Sequence, residues 1–273
     1  MIFRALDIET IPDATVWTPG EEQWQLVPGP TRRLDGAWTV CLEKKDPFPP
    51  PQAHRVVAIA WVDIAMDINY SPRYQLKNIQ TACHWDWDVK ERLAGGFEKA
   101  MLQEFSENMT GQGIDLVTWN GRGFDLPVLA MRSFKYGIPF GWYYENRDMR
   151  YRFSENGHLD LMDFLGDYGA GRNMKLGDVA RLIGLPGKTD MTGASVHEIV
   201  KTSRVHPETA VELMDRVSKY CLQDAIQTAL IFLRSQFHLG RIDATEYNGC
   251  LNTFIRNANI EAAISINWDK LKL

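Results

Sequence analysis

The N-terminal stretch IFRALDIET, residues 2–10, is apolar through Ile8 except for Arg4 and Asp7, and its two acids, Asp7 and Glu9, flank Ile8. A short apolar run of this kind over residues 2–8 reads as a buried strand. Alternate strand side chains share a face, so Asp7 and Glu9 project together from its end. Two carboxylates on one face repel and raise each other's pKa unless a cation lies between them. Mg²⁺ or Mn²⁺, which prefer oxygen donors, would relieve that repulsion. An Asp-x-Glu pair alone is also common at the ends of surface strands, so its meaning depends on what else the chain brings to it.

Working outward, residues 12 to about 54 form a Pro- and Trp-rich insertion. It holds Pro19-Gly20, Pro28-Gly29-Pro30 and the run Pro47 to Pro51, together with Trp17, Trp24 and Trp38. Proline-rich segments fit neither regular helix nor a central strand, so the insertion reads as a loop or flap packed on the core. Residues 56–63, 74–84 and 114–119 have strand character. Helical spacing marks 89–109, with Val89, Leu93, Phe97, Met101 and Phe105 on one stripe. Residues 126–136, 176–183 and 207–238 also read as helices, the first with Pro127 in its opening turn and Gly137 as its stop. The order β-β-β-α-β-α followed by helices predicts an α/β domain with a mixed sheet.

The chain of 273 residues has a net charge of −5 and 45% hydrophobic residues. That balance is ordinary for a globular protein and argues against a broad basic surface for duplex nucleic acid. It leaves room for a local contact to a single strand, because bound divalent cations offset both site carboxylates and an incoming phosphate. No run reaches the ~18 apolar residues of a membrane span, and the N-terminus lacks a signal-peptide layout, so a cytoplasmic protein with no membrane partner is expected. Cys41, Cys83, Cys221 and Cys250 are widely spaced and read as reduced thiols, not as a disulfide framework or a zinc site.

Two further motifs join the first. In Asn120-Gly121-Arg122-Gly123-Phe124-Asp125, Asp125 stands at a helix N-terminus, where free N–H groups and the dipole favour an anion. The glycines allow close backbone approach, and Asn120 and Arg122 supply groups of a kind that holds phosphate or sugar. In Tyr220-Cys221-Leu222-Gln223-Asp224, Tyr220 and Asp224 are four apart and share a helix face. Val217, Cys221 and Ala225 mark an adjacent buried stripe, so Asp224 sits near the core, where an acid needs a partner or a metal.

As an ordered set, these motifs resemble the DEDD superfamily of exonucleases in its tyrosine-containing branch. Within it they are similar to the proofreading domain of family-B DNA polymerases and to the stand-alone predicted exonucleases related to it. His158-Leu159-Asp160-Leu161 and Gly184-Leu185-Pro186-Gly187-Lys188 also resemble segments of that stand-alone group. The resemblance implies a ribonuclease-H-like fold with a mixed five-stranded central sheet flanked by helices, formed as a single 3′–5′ exonuclease domain over 1–273. It implies two divalent ions, Mg²⁺ or Mn²⁺, held by Asp7, Glu9, Asp125 and Asp224, with Asp7 bridging both. Tyr220 would position the attacking water; a phenol with a pKa near 10 is a poor base unaided. Thr10, Asn120, Arg122 and Phe124 would contact the substrate. That substrate is expected to be the 3′ end of a single strand, DNA favoured over RNA, released as nucleoside monophosphates.

Alternatives keep part of this picture. An exoribonuclease would use the same site, and a catalytically silent nucleic-acid-binding module would keep the fold. A haloacid-dehalogenase-type phosphohydrolase also places an Asp after its first strand. It wants a second Asp two residues on, where this chain has Glu9, and it gives Tyr220 and Asp224 no role. Finally, Tyr143 through Phe153 interleaves aromatics with Arg147, Arg150 and Arg152. That composition suits either an exposed loop or a single-strand contact.

Overall fold

The computed structural model describes residues 1–18, 25–34, 37–45, 48–83, 96–111, 113–154, 156–187, 191, 193–205 and 209–273. Among the described residues the strands are β1 (Ile2–Pro12), β2 (Gln25–Leu34), β3 (Ala37–Lys45), β4 (His54–Met66), β5 (Tyr74–Cys83), β6 (Ile114–Thr118) and β7 (His158–Asp160). The longer helices are α1 (Gly96–Met109), α2 (Asp125–Tyr136), α3 (Leu176–Leu182), α4 (Gly193–Val205), α5 (Ala210–His238) and α6 (Ala244–Ile255).

β1 lies at the centre of a five-stranded sheet of order β5-β4-β1-β6-β7. Its pairing with β4 is antiparallel, as is that of β4 with β5, whereas β1–β6 and β6–β7 are parallel. This mixed sheet with helices on both faces is the ribonuclease-H-like fold. Alternation along β1 divides the core. Ala5 faces the layer of α3, α4, α5 and α6, while Leu6 and Ile8 face α1 and α2. Burial on both faces also explains why β4 reads as one long run with little polar alternation. Arg4, the one basic residue of β1, is buried against its cross-strand partner Asp63, donating from Nε at 2.8 Å and from Nη2 at 3.0 Å.

The reading of the insertion is corrected. The 12–54 insertion is not all loop: β2 and β3 pair as a separate antiparallel ribbon. Its register shifts between Pro28 and Thr31, so Pro28-Gly29-Pro30 occupies an irregularity in a two-stranded sheet, where missing N–H donors cost least. The fifth strand of the main sheet, β7, is only three residues long, too short to show a period. Residues 84–95 and 206–208, where parts of the expected third strand and two of the expected helices fall, lie outside the described residues. On α1, Met101 and Phe105 are buried as the stripe requires, while Phe97 is 40% exposed. Among the described residues no helix is long and apolar enough to cross a membrane.

Candidate active site

β1 outruns its parallel neighbour. The β1–β6 register ends at Ala5 opposite Val117, and the acids Asp7 and Glu9 follow, at the carboxyl end of both strands. On the other side the β1–β4 register shifts between Glu9 and Thr10, a bulge that skips Val57 and re-aims the strand beside the acids. α5 packs across β1 on the face that Asp7 and Glu9 share. The Cys221 thiol donates to the Asp7 carbonyl at 3.3 Å, fixing one turn of the helix to the strand. Asp224, one turn further along with its neighbour Tyr220 four residues before it, is brought to the same point. Asp7, Glu9 and Asp224 each offer a carboxylate oxygen within 4.8 Å of the others. Glu9, Tyr220 and Asp224 are all buried.

Asp125 begins α2 and is 5% exposed. Burial pushes its carboxyl well above the ordinary range, and the charges of Asp160 and Asp224 push the same way. Hydrogen bonds from its own backbone N–H and from that of Ile8, the residue between Asp7 and Glu9, oppose the rise. Asp125 is therefore joined to the strand that carries the other acids, although it stands outside the tight group of three.

The turn before Asp125 is built from within. Asn120 has φ of 63°, a left-handed conformation. Its N–H and that of Arg122 donate to the two oxygens of Asp160, at 2.9 and 3.0 Å. A Cβ on Gly123 would lie 2.5 Å from Asn120 Oδ1, and one on Gly121 would overlap the Thr118 side chain. Arg122 turns back into the protein, donating to the carbonyls of Met149 at 3.1 Å and His158 at 2.6 Å. Asp160 is the residue that motif spacing did not single out. Its signal was the N-cap it also provides for the short helix Leu161–Leu165, accepting from the Met162 N–H.

Thr10 and Phe124 meet at a third residue, His54. The rings of Phe124 and His54 are edge-on at 4.9 Å, and the exposed Phe48 lies 4.9 Å from His54 and 5.8 Å from Phe124. His54 Nε2 is 2.9 Å from the Pro49 carbonyl and Nδ1 is 2.9 Å from the Thr10 hydroxyl. A carbonyl only accepts, so Nε2 carries the proton and Thr10 donates to Nδ1. Burial keeps the imidazole pKa below its usual value, offset in part by the bond to Pro49.

The donor set suits a hard divalent cation. Three carboxylates this close, two of them buried, carry mutual repulsion that protons or cations must offset. The group itself offers oxygen donors only, and burial, then Asp7 and Glu9, hold the Cys221 thiol far above its ordinary pKa, while burial carries Cys83 to about 12. All-oxygen coordination favours Mg²⁺ or Mn²⁺ over zinc.

A family model described as a predicted 3′–5′ exonuclease related to the exonuclease domain of PolB matches residues 46–266. That span includes Asp125, Tyr220 and Asp224, with Asp7 and Glu9 lying before it. A structure of the family B DNA polymerase from the hyperthermophilic archaeon Pyrobaculum calidifontis is similar to the chain, at 16% identity and a TM-score of 0.45. The similarity covers 97% of this chain and 27% of that one. No curated protein matches.

Proposed function

The chain belongs to the family of predicted 3′–5′ exonucleases related to the exonuclease domain of PolB, and from that we propose that it removes nucleoside monophosphates from the 3′ ends of single-stranded DNA with two divalent ions. The observation that carries the reading is the meeting of Asp7, Glu9 and Asp224 within 4.8 Å, from a strand and a helix more than 200 residues apart in sequence. Asp7 would be shared between the ions, with Glu9 and Asp224 on one and Asp125 on the other. Mg²⁺ or Mn²⁺, when bound, lowers the pKa of water and stabilises the attacking and leaving oxygens of the phosphodiester.

The remaining work falls to the chain itself. The Tyr220 hydroxyl would orient the water that attacks. Phe124, held edge-on by His54, would support the terminal base, while Thr10 and Asn120 would face the sugar and phosphate. Arg122 contributes through the turn, because its guanidinium holds the backbone of Met149 and His158 in place. That anchoring fixes where Asp125 begins its helix, and a carboxylate that would hold an ion beside the reacting phosphate must be placed accurately.

Degradation of 5′-labelled single-stranded DNA and RNA of one sequence, with Mg²⁺, Mn²⁺ or EDTA, tests the proposal beside Asp7→Ala. A ladder shortening from the 3′ end, absent in EDTA and reduced at least ~100-fold in the variant, is expected. The DNA-to-RNA rate ratio names the substrate. No cleavage with either cation would overturn the enzymatic reading in favour of a binding module.

A further inference from the structure

Between Gly141 and Phe153 the chain presents exposed rings interleaved with guanidinium groups. Tyr144, Tyr151 and Phe153 are 48%, 49% and 55% exposed, high for aromatic side chains. Arg150 lies 5.4 Å from the Tyr144 ring centre and Arg147 lies 5.8 Å from that of Tyr151. Together with Glu145 these four line a shallow surface groove. Ring contacts carry the strip outward, from Tyr151 to Phe153 at 5.7 Å and from Phe153 to Tyr168 at 4.9 Å. Arg152 is committed to Asp163 at 2.7 Å. Among the described residues, Arg147 and Arg150 lie on rings and make no ion pair with a carboxylate.

The strip is joined to the candidate active site. Arg122 donates to the carbonyl of Met149 and so ties the short helix Arg147–Arg150 to the turn that precedes Asp125. Tyr143, its ring 5.1 Å from that of Tyr144, is within the electrostatic influence of both Arg122 and Arg150. Over the molecule as a whole a net charge of −5 opposes a phosphate backbone. Rings that stack on any base, beside cations that meet phosphates, are the physical basis of sequence-tolerant single-strand binding.

We infer that the Tyr144–Arg147–Arg150–Tyr151 strip holds the single strand on the 5′ side of the nucleotide being removed, with its arginines on phosphates and its rings against bases. This rests on the exonuclease reading above. Its consequence is that affinity grows with strand length beyond the few nucleotides the acidic site itself covers.

The test uses full-length protein carrying Asp7→Ala, so that the probe is not degraded. Fluorescence anisotropy is measured with labelled oligodeoxyuridylate and oligouridylate of about four and about twelve nucleotides. The longer probe is expected to bind at least ~10-fold more tightly, from one or two stacked bases. Arg147→Ala with Arg150→Ala, or Tyr144→Ala with Tyr151→Ala, should remove most of that gain, and Arg147→Lys with Arg150→Lys should retain part of it. All four side chains are exposed, and unchanged thermal melting would show that the variants fold. Equal gains on both probes would mean that bases and phosphates are read, whereas unequal gains would assign a sugar preference to the strip. A length gain that survives in both double variants, or no gain in the parent, overturns the inference. If the unsubstituted chain degrades DNA while the gain survives, only the strip is wrong. If it degrades nothing while the gain depends on the strip, the exonuclease reading fails and the strip stands.

Discussion

His158 is fully buried beside the Asn120–Asp125 turn, its Nε2 2.8 Å from the Thr118 hydroxyl and its carbonyl taken by Arg122. Burial, and then the Arg122 charge, hold its imidazole pKa well below the usual value. In the unfolded chain it takes a proton near pH 6.5, while in the folded protein it stays neutral to much lower pH. The unfolded state therefore binds more protons in that window, and the contribution is present above about pH 6.5 and lost as pH falls toward the folded value. Urea unfolding at about pH 7 and about pH 5.5 should show His158→Gln losing less stability than the parent, by up to ~1 kcal/mol. Equal losses would place the titration elsewhere, His54 being the next group with a depressed pKa. At this scale the sequence exposed the acids and the tyrosine because their spacing carries meaning. It did not expose the roles of His54 and Asp160, which come from Thr10, Phe124 and the turn that they touch.

Among elements, the strongest tie outside the acids joins α2 to α1, β1 and the start of β4. Arg132 is 1% exposed and donates to Glu98 at 2.7 and 2.6 Å and to Asp13 at 2.8 Å. Glu98 also accepts from the Tyr136 hydroxyl at 2.5 Å and from the Val56 N–H at 2.9 Å. Burial alone would raise the Asp13 carboxyl, but hydrogen bonds from Thr15, Arg132 and Lys135 outweigh it and hold it far below the ordinary range. Asp13 and Gln52, the latter accepting from Arg132 at 3.5 Å, stand near the two ends of the insertion. The network thus pins those ends to the helix that Asp125 begins. Arg132→Met would leave two buried carboxylates without their main cation and should cost ~3–5 kcal/mol, read as a lowered midpoint in urea unfolding. A loss under ~1 kcal/mol would mean that Arg55 and Lys135 suffice to neutralise them. None of this was legible in order, since Asp13 and Arg132 are 119 residues apart and ordinary in their local context. The hairpin was missed for a related reason: prolines excluded a central strand correctly, but an isolated ribbon with a register shift tolerates them.

The molecule as a whole gathers its acids at a cost in stability that a cation should offset. Carboxylates from β1 and α5 meet only in the folded chain, so a divalent ion bound there stabilises the folded state by mass action. Adding Mn²⁺ or Mg²⁺ to EDTA-treated protein should raise its melting temperature. Asp224→Asn should melt ~2–4 °C higher than the parent in EDTA, through ~1 kcal/mol of relieved repulsion, and gain less from the metal. A parent that ignores both cations would argue against the site as a metal centre. By itself the sequence determined the α/β class, the buried first strand with its paired acids and the order of the acids that follow, because strand alternation, helix spacing and turn residues are local properties of the chain. Tertiary structure alone decided that the three-residue β7 completes the sheet, that Arg122 faces inward to carbonyls, and that Asp125 is tied to β1 through the Ile8 N–H. Those outcomes depend on which groups burial brings together, and burial is a property of the packed whole that no window of residues contains.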